Sequence, residues 1–258
     1  FTTRQFVLTH ADRTDLIEKS EYNRTFLKEK LNCNEIITAK QIHSDNIQIV
    51  QADKIFYDNT DAMISNIPDS LIIMNFADCV PVILFSKKDN TGAVVHAGWR
   101  GTLMGIAFKT VKKMQEVYGC NPSDIRAVIG PSIGINNYEV DETVINEVRR
   151  CEYMDFADES VGEVSIADTF DNVFVIIKGS KRNGIVGPSY GIYRTVKEKD
   201  RYMLNLWSVN ELILYNAGLE LGHIFNTGLD TYKCHDVFFS HRYTKGRRGL
   251  NAGIISII

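Results

Sequence analysis

Three reactive side chains stand at the margins of apolar, strand-like runs: His43 in AKQIHSDN, Cys79 in NFADCVPVILF and His96 in VVHAGWRGT. They lie 36 and 17 positions apart, so no local knuckle of the zinc-finger kind can hold a metal and any site must be assembled by the fold. Two imidazoles and one thiolate suit a zinc ion with its fourth position left to water, which zinc would bring towards a hydroxide. A His₂Cys set also suits a single copper ion. Without metal, Cys79 and His96 read equally as nucleophile and base of a hydrolase. Each residue alone has a plain structural reading too, the cysteine as a small buried hydrophobe and each histidine as a hydrogen-bonded one.

The elements that must carry these groups can be read from periodicity and turn signals. Residues 3–9 predict a short strand, and 15–31 an amphipathic helix with Leu16, Ile17, Phe26, Leu27 and Leu31 on one side. EIITAKQIH, NIQIV, DAMIS, SLIIMNFAD, VPVILF and AVVHAG predict strands, with turns at Pro68–Asp69 and at KKDNTG. A helix is expected from about Thr102 to Tyr118, closed by Gly119, and VDETVINEVRR is also helical. Residues 204–217 predict a helix ending at Gly218. DIRAVIGPSIG, VFVII, 223–226, 236–241 and AGIISII read as extended. Strands and helices mix without strict alternation, no repeat divides the chain and no linker interrupts it. The expectation is an α/β (α+β) fold, mixed β-sheets packed together with helices outside, as one compact domain over residues 1–258.

Composition narrows the partners. The 258 residues are 44% apolar and 24% charged, ordinary for a soluble globular protein, and can bury a large core. A net charge of −3 offers no field for nucleic acid or an anionic membrane, and the apolar runs are too short to span a bilayer. Five cysteines, an odd number without a CxxC pair, argue against a disulfide framework. The opening FTTRQFVLTH lacks the pattern of a signal peptide, so a cytoplasmic location is expected.

KQIHSDNIQIV, DAMIS, ADCVPVILF, VVHAGWRGT, IGPSIGINNYEV and FFSHR occur in this order. Together they resemble the laccase-domain family, long labelled multicopper polyphenol oxidases. Its members have since been assigned as zinc-dependent purine nucleoside phosphorylases with adenosine deaminase activity. The likeness is strong over residues 36–140 and looser over 202–258. It implies that His43, Cys79 and His96 are the zinc ligands and the catalytic centre. The substrates implied are a purine nucleoside (adenosine, inosine or 5′-methylthioadenosine) and orthophosphate, acted on by a monomer.

The residues around the ligands accord with those roles. Arg100 offers a fork-shaped cation suited to phosphate. Gln41 and Asp78 flank two ligands and could bond the nucleoside or orient an imidazole, and Asp78 could move a proton during deamination. Phe239 could stack on the purine, with Ser240, His241 and Arg242 beside it. Gly98 is expected to let the backbone turn sharply, sending His96 to the metal and Arg100 to the anion. Trp99 is expected to pack as a wedge.

The chain also departs from the family pattern. The Gly-Gly-Val-Ser turn after the first strand is missing, Asp230 stands where a cysteine is common, and the C-terminal Gly-Arg is Gly249–Leu250, with Arg247 and Arg248 close by. The cytidine-deaminase signature is absent, so any deamination uses another arrangement. The rival readings are a Cys–His hydrolase, for example of a peptidoglycan precursor, a copper-dependent polyphenol oxidase, and a non-enzymatic binding module. The chain's six histidines, two of them in the strong motifs, are too few for a multicopper centre.

Overall fold

The computed structural model describes residues 1–6, 8, 17–154, 164–169, 172–177, 181–182, 185–186, 190–196 and 200–258. In chain order, helix α1 (Ile17–Leu31) precedes seven strands: β1 (Glu35–Ala39), β2 (Ile47–Ile49), β3 (Phe56–Tyr57), β4 (Ala62–Ser65), β5 (Ser70–Phe76), β6 (Val80–Ser86) and β7 (Thr91–Ala97). Helices α2 (Trp99–Leu103) and α3 (Ile106–Tyr118), strands β8 (Arg126–Ile129) and β9 (Glu139–Asp141) and helix α4 (Glu142–Arg149) follow. Next come β10 (Val164–Thr169), β11 (Asn172–Ile177), β12 (Lys181–Arg182), β13 (Ile185–Val186), β14 (Tyr190–Thr195) and β15 (Arg201–Leu204). Helix α5 (Leu206–Asn216), β16 (Ile224–Asn226), the single turn α6 (His241–Thr244) and β17 (Asn251–Ile257) complete the chain.

Two mixed sheets form the centre. One has the order β17-β5-β1-β3 and the other β16-β8-β6-β7-β4-β2. The strands are long apolar runs because both faces of each sheet are covered, and the pleat sends alternate residues to opposite sides. On β5, Leu71 and Ile73 join Ile36 and Ala252 in the cluster that takes in Leu27 of α1. Ile72, Met74 and Phe76 point the other way, meeting Met63, Ile83 and Val94 between the two sheets. On the far face of the six-stranded sheet, Val82, Leu84, Ala93 and Val95 pack on Val111 and Met114 of α3 and Ile213 of α5. The layers therefore run helix, sheet, sheet, helices. A further sheet, β10-β11-β14-β15-β9, is wholly antiparallel, and β12 pairs with β13.

Most predicted elements form, with three corrections. Residues 3–6 make a turn rather than a strand, the rest of that predicted element lying largely outside the described residues. The helix expected from Thr102 starts at Trp99 and is broken after Leu103, because Gly105 adopts φ 76° with its Cα against the Tyr153 ring. The extended segment expected at 236–241 is instead a run of turns leading into α6. Asp230 holds that run by accepting from the amides of Tyr232 and Lys233, a local side-chain bond that competes with strand pairing. Gly119 and Gly218 end α3 and α5 with φ of 69° and 109°, conformations in which glycine pays no Cβ penalty.

Candidate active site

Two of the chain's crossings between the central sheets deliver reactive residues. The β1–β2 loop carries His43, and the β5–β6 loop carries Asp78 and Cys79. Both crossings use left-handed backbone at a non-glycine residue, φ 63° at His43 and 82° at Asp78. Such residues persist only where the surroundings hold them. His96 arrives separately on β7, where alternation turns it to the same side as Val94, towards Phe76 at a ring separation of 5.5 Å.

One buried carboxylate holds much of this in place. Asp61 sits at the start of β4 and is fully buried. Its carboxylate accepts from the amides of Ile42, His43 and Ser44 at 3.2, 3.0 and 2.8 Å and from the Ser44 hydroxyl at 2.7 Å. Successive amides converging on one anion form a nest, which locks the strained turn at His43. The same carboxylate meets His96 Nδ1 at 2.8 Å, and the His96 amide donates to the Asp61 carbonyl at 2.7 Å. An Nδ1–H donated to Asp61 leaves Nε2 as the ligating nitrogen. Burial alone would raise the Asp61 pKa, but the bonds from His96 and Ser44 outweigh it and hold the group at about 2. The sequence reading missed Asp61, although it opens the DAMIS run.

The ligand atoms of His43, Cys79 and His96 lie within 4.8 Å of one another, and the imidazoles meet edge to face. Two nitrogens and a sulfur at this spacing can hold a metal ion. In the metal-free protein, burial works against the Cys79 thiolate, yet His96 and His43 bring the thiol down to about 6. Burial likewise opposes the His96 imidazolium, and Cys79 and Asp61 outweigh it to raise that pKa to about 9.

The helix after His96 explains the glycines of HAGWRG. Gly98 has ordinary extended backbone, φ −67°, so its role is not the sharp turn expected from the sequence. A Cβ there would stand 3.0 Å from Cys79 Sγ and 3.3 Å from His43 Cδ2. One at Gly101 would stand 2.9 Å from the Ser44 carbonyl oxygen. The glycines are places where the backbone of α2 must approach the ligands and their loop.

Two clefts of about 250 Å³ each open beside His43 and Cys79, and His96 lines the second. The first has apolar and aromatic walls from Trp99, Ile133, Tyr138 and Leu206, with Arg100, His241 and Arg242 around them. Burial pushes the Tyr138 hydroxyl up, keeping it a neutral donor. The second is polar, lined by Lys40, Gln41, Asn75 and Arg248. His43, Ala77, Cys79 and Arg248 face both.

The remaining predicted contacts separate by what their polar atoms already do. Gln41 and Asn75 bond each other reciprocally, each contact 2.8 Å, which clips the β1–β2 loop to the end of β5. Asp78 accepts from Thr231 Oγ1 at 2.7 Å and the Arg242 amide at 2.6 Å, so its carboxylate anchors α6 to the β5–β6 crossing. Arg100 stacks over Trp99 at 4.4 Å and is exposed. Trp99 thus serves both as cleft wall and as platform. Arg242 spends both terminal nitrogens on the Glu139 carbonyl at 3.2 Å, above the Tyr138 ring. Phe239 is buried against Gly249 and under the Arg4 guanidinium, and is not among the residues lining either cleft. No described helix is long and apolar enough to cross a membrane, and all five cysteines are free.

The chain is similar to several known proteins. A purine nucleoside phosphorylase of Bacteroides thetaiotaomicron is 28% identical over 252 residues, spanning 93% of this chain and 79% of its own. Purine nucleoside phosphorylase YlmD of Bacillus subtilis is 29% identical, spanning 93% and 76%. The crystal structure of Bacillus licheniformis hypothetical protein YfiH superposes with a TM-score of 0.75 at 27% identity, covering 93% of this chain and 82% of that one. YlmD from Geobacillus stearothermophilus, at 24% identity, shares the fold with a TM-score of 0.74 over 99% and 87%. With residues 7–169 and 186–258 matched, the chain belongs to the family described as multi-copper polyphenol oxidoreductase laccase.

Proposed function

We propose that this protein is a zinc-dependent purine nucleoside phosphorylase, splitting adenosine, inosine or 5′-methylthioadenosine with orthophosphate, and that it also deaminates adenosine. The observation that carries the reading is the His43–Cys79–His96 set at the junction of an apolar and a polar cleft, in a chain whose relatives bear that name. The donor set fits zinc: a thiolate held low in pKa and an imidazole oriented by a buried carboxylate are what such an ion requires. When bound, zinc supplies a Lewis acid and a water of lowered pKa.

The chain's own residues account for the rest. The aromatic walls at Trp99 and Tyr138 suit a flat purine, while the exposed guanidiniums of Arg100 and Arg242 stand at the rim for the substrate's polar atoms. In phosphorolysis a phosphate oxygen bonds to C1′ as the C1′–N bond breaks. The electron pair leaves with the base, and the proton brought by hydrogen phosphate ends on the purine nitrogen. Asp78, its carboxylate bound to Thr231 and the Arg242 amide, serves by fixing the position of Cys79 and α6. We assign the activity to a cytoplasmic monomer. Incubation of metal-loaded protein with adenosine tests the reading: adenine should form only with phosphate, and inosine without it. Absence of both products at full metal content would overturn it.

A cysteine hydrolase is the second reading, favoured by the low pKa of Cys79 between two imidazoles. Iodoacetamide separates the two. Metal-bound Cys79 should resist alkylation until a chelator is added, whereas rapid labelling of the protein as isolated would support the hydrolase.

A further inference from the structure

Three arginines reach the clefts, and their donors are in different states. Arg100 lies flat on Trp99 at the surface, and Arg242 is bonded to the Glu139 carbonyl. Arg248 differs: its Nε is buried and has no hydrogen-bond partner among the described residues. A buried, unspent donor on a charged group costs free energy unless a ligand meets it. Arg248 also borders both clefts, as His43 and Cys79 do.

The polar cleft is suited to an anion. Its ten lining residues include Lys40 and Arg248 but no aspartate or glutamate. The Gln41 side-chain amide donates to the Asn75 carbonyl and accepts from the Asn75 amide across its wall, which makes that wall rigid. The apolar cleft, by contrast, offers the aromatic surface a base would need. A planar fork with an open donor, beside a second cation and away from carboxylates, matches a tetrahedral oxyanion.

We infer that Arg248, with Lys40, forms the orthophosphate subsite, in the polar cleft on the opposite side of the three ligands from the purine. This rests on the proposed phosphorolysis for its biological meaning, though not for its test. The arrangement places the nucleoside and phosphate on separate surfaces that converge where the C1′–N bond must break.

The test compares wild type, Arg248→Ala and Arg248→Lys, all metal-loaded and full length. Initial rates with adenosine and phosphate varied separately give the two KM values, and calorimetric titration with inorganic phosphate alone reads binding without turnover. Arg248→Ala should raise the phosphate KM about tenfold or more, the worth of one charge-assisted hydrogen bond, with the adenosine KM unchanged. Arg248→Lys, which keeps the charge and loses the fork, should fall between. If Arg248→Ala fails to fold, the lysine variant carries the comparison. An unchanged phosphate KM, or equal rises in both constants, overturns the assignment.

Should wild type release no adenine, the phosphorylase reading fails and the titration decides this one. Phosphate bound by wild type and lost in Arg248→Ala upholds an oxyanion subsite. No binding by wild type, or equal binding by the variant, removes it.

Discussion

The ligand corner and the cationic rim of the same site are built on opposite physical terms. At the corner, His96 and Asp61 are buried, and the Asp61 carboxylate is tied to His96 Nδ1 and to the loop that carries His43. The backbone at His43 and Asp78 adopts left-handed conformations that neighbouring hydrogen bonds maintain. At the rim, Arg100 and Arg242 stand on short helices, exposed, one on an aromatic face and the other on a carbonyl. Buried interactions are costly to break because the surviving partner is left without water, whereas exposed charges are already screened. The corner is therefore specified by the fold and intolerant of change. The rim can adapt to different substrates.

Substitutions should expose that contrast in descending order. Cys79→Ala removes a ligand and is expected to abolish metal binding and turnover together, with circular dichroism unchanged. Retention of metal and activity would show that the donor set is misassigned. Asp61→Asn preserves shape but removes the charge that orients His96 and fills the nest. It should weaken metal affinity or kcat/KM by about 10- to 100-fold, measured by competition with a chelator and by initial rates.

The same carboxylate predicts an acid limit for the metal-free protein. Its folded pKa, about 2, lies below the ordinary 3.8, so its stabilisation is present above pH 4 and lost as pH falls towards 2. That contribution amounts to about 2 kcal/mol, and an acid titration in which Asp61→Asn loses the pH 4 to 2 component would confirm it.

Gly98→Ala is predicted to be milder, since it removes no ligand. The added methyl meets Cys79 Sγ at 3.0 Å, so sulfur or helix must shift, and metal affinity should fall about tenfold while folding persists. Arg100→Ala should have the smallest effect, a change of up to about fivefold in nucleoside KM, in keeping with an exposed cation. A larger loss from Arg100 than from Gly98 would reverse the proposed division between corner and rim.

The sequence carried the central strands plainly. β5, β6 and β7 are continuous apolar runs between turn signals, and burial on both faces leaves such runs little alternative. Less legible were the segments where side chains compete with backbone pairing. Asp230 caps the run of turns that leads into residues expected to be extended, and left-handed backbone at Gly105, packed against Tyr153, divides a helix whose apolar periodicity gave no warning. Within the site, Gln41 and Asp78 were visible as neighbours of ligands. Their partners, Asn75, Thr231 and the Arg242 amide, come from distant parts of the chain.

The residue types alone determined which atoms could bind a metal, since the donor chemistry of imidazole and thiolate belongs to the side chain itself. Their motifs also identified the family. Tertiary structure alone decided that Asp61, rather than Asp78, orients a ligand, that the glycine at 98 provides room rather than a turn, and that Arg248 keeps a buried donor unspent. Those outcomes depend on which groups meet after the two sheets pack. Hydrogen bonding and steric contact act over a few ångströms in space, whatever the separation along the chain.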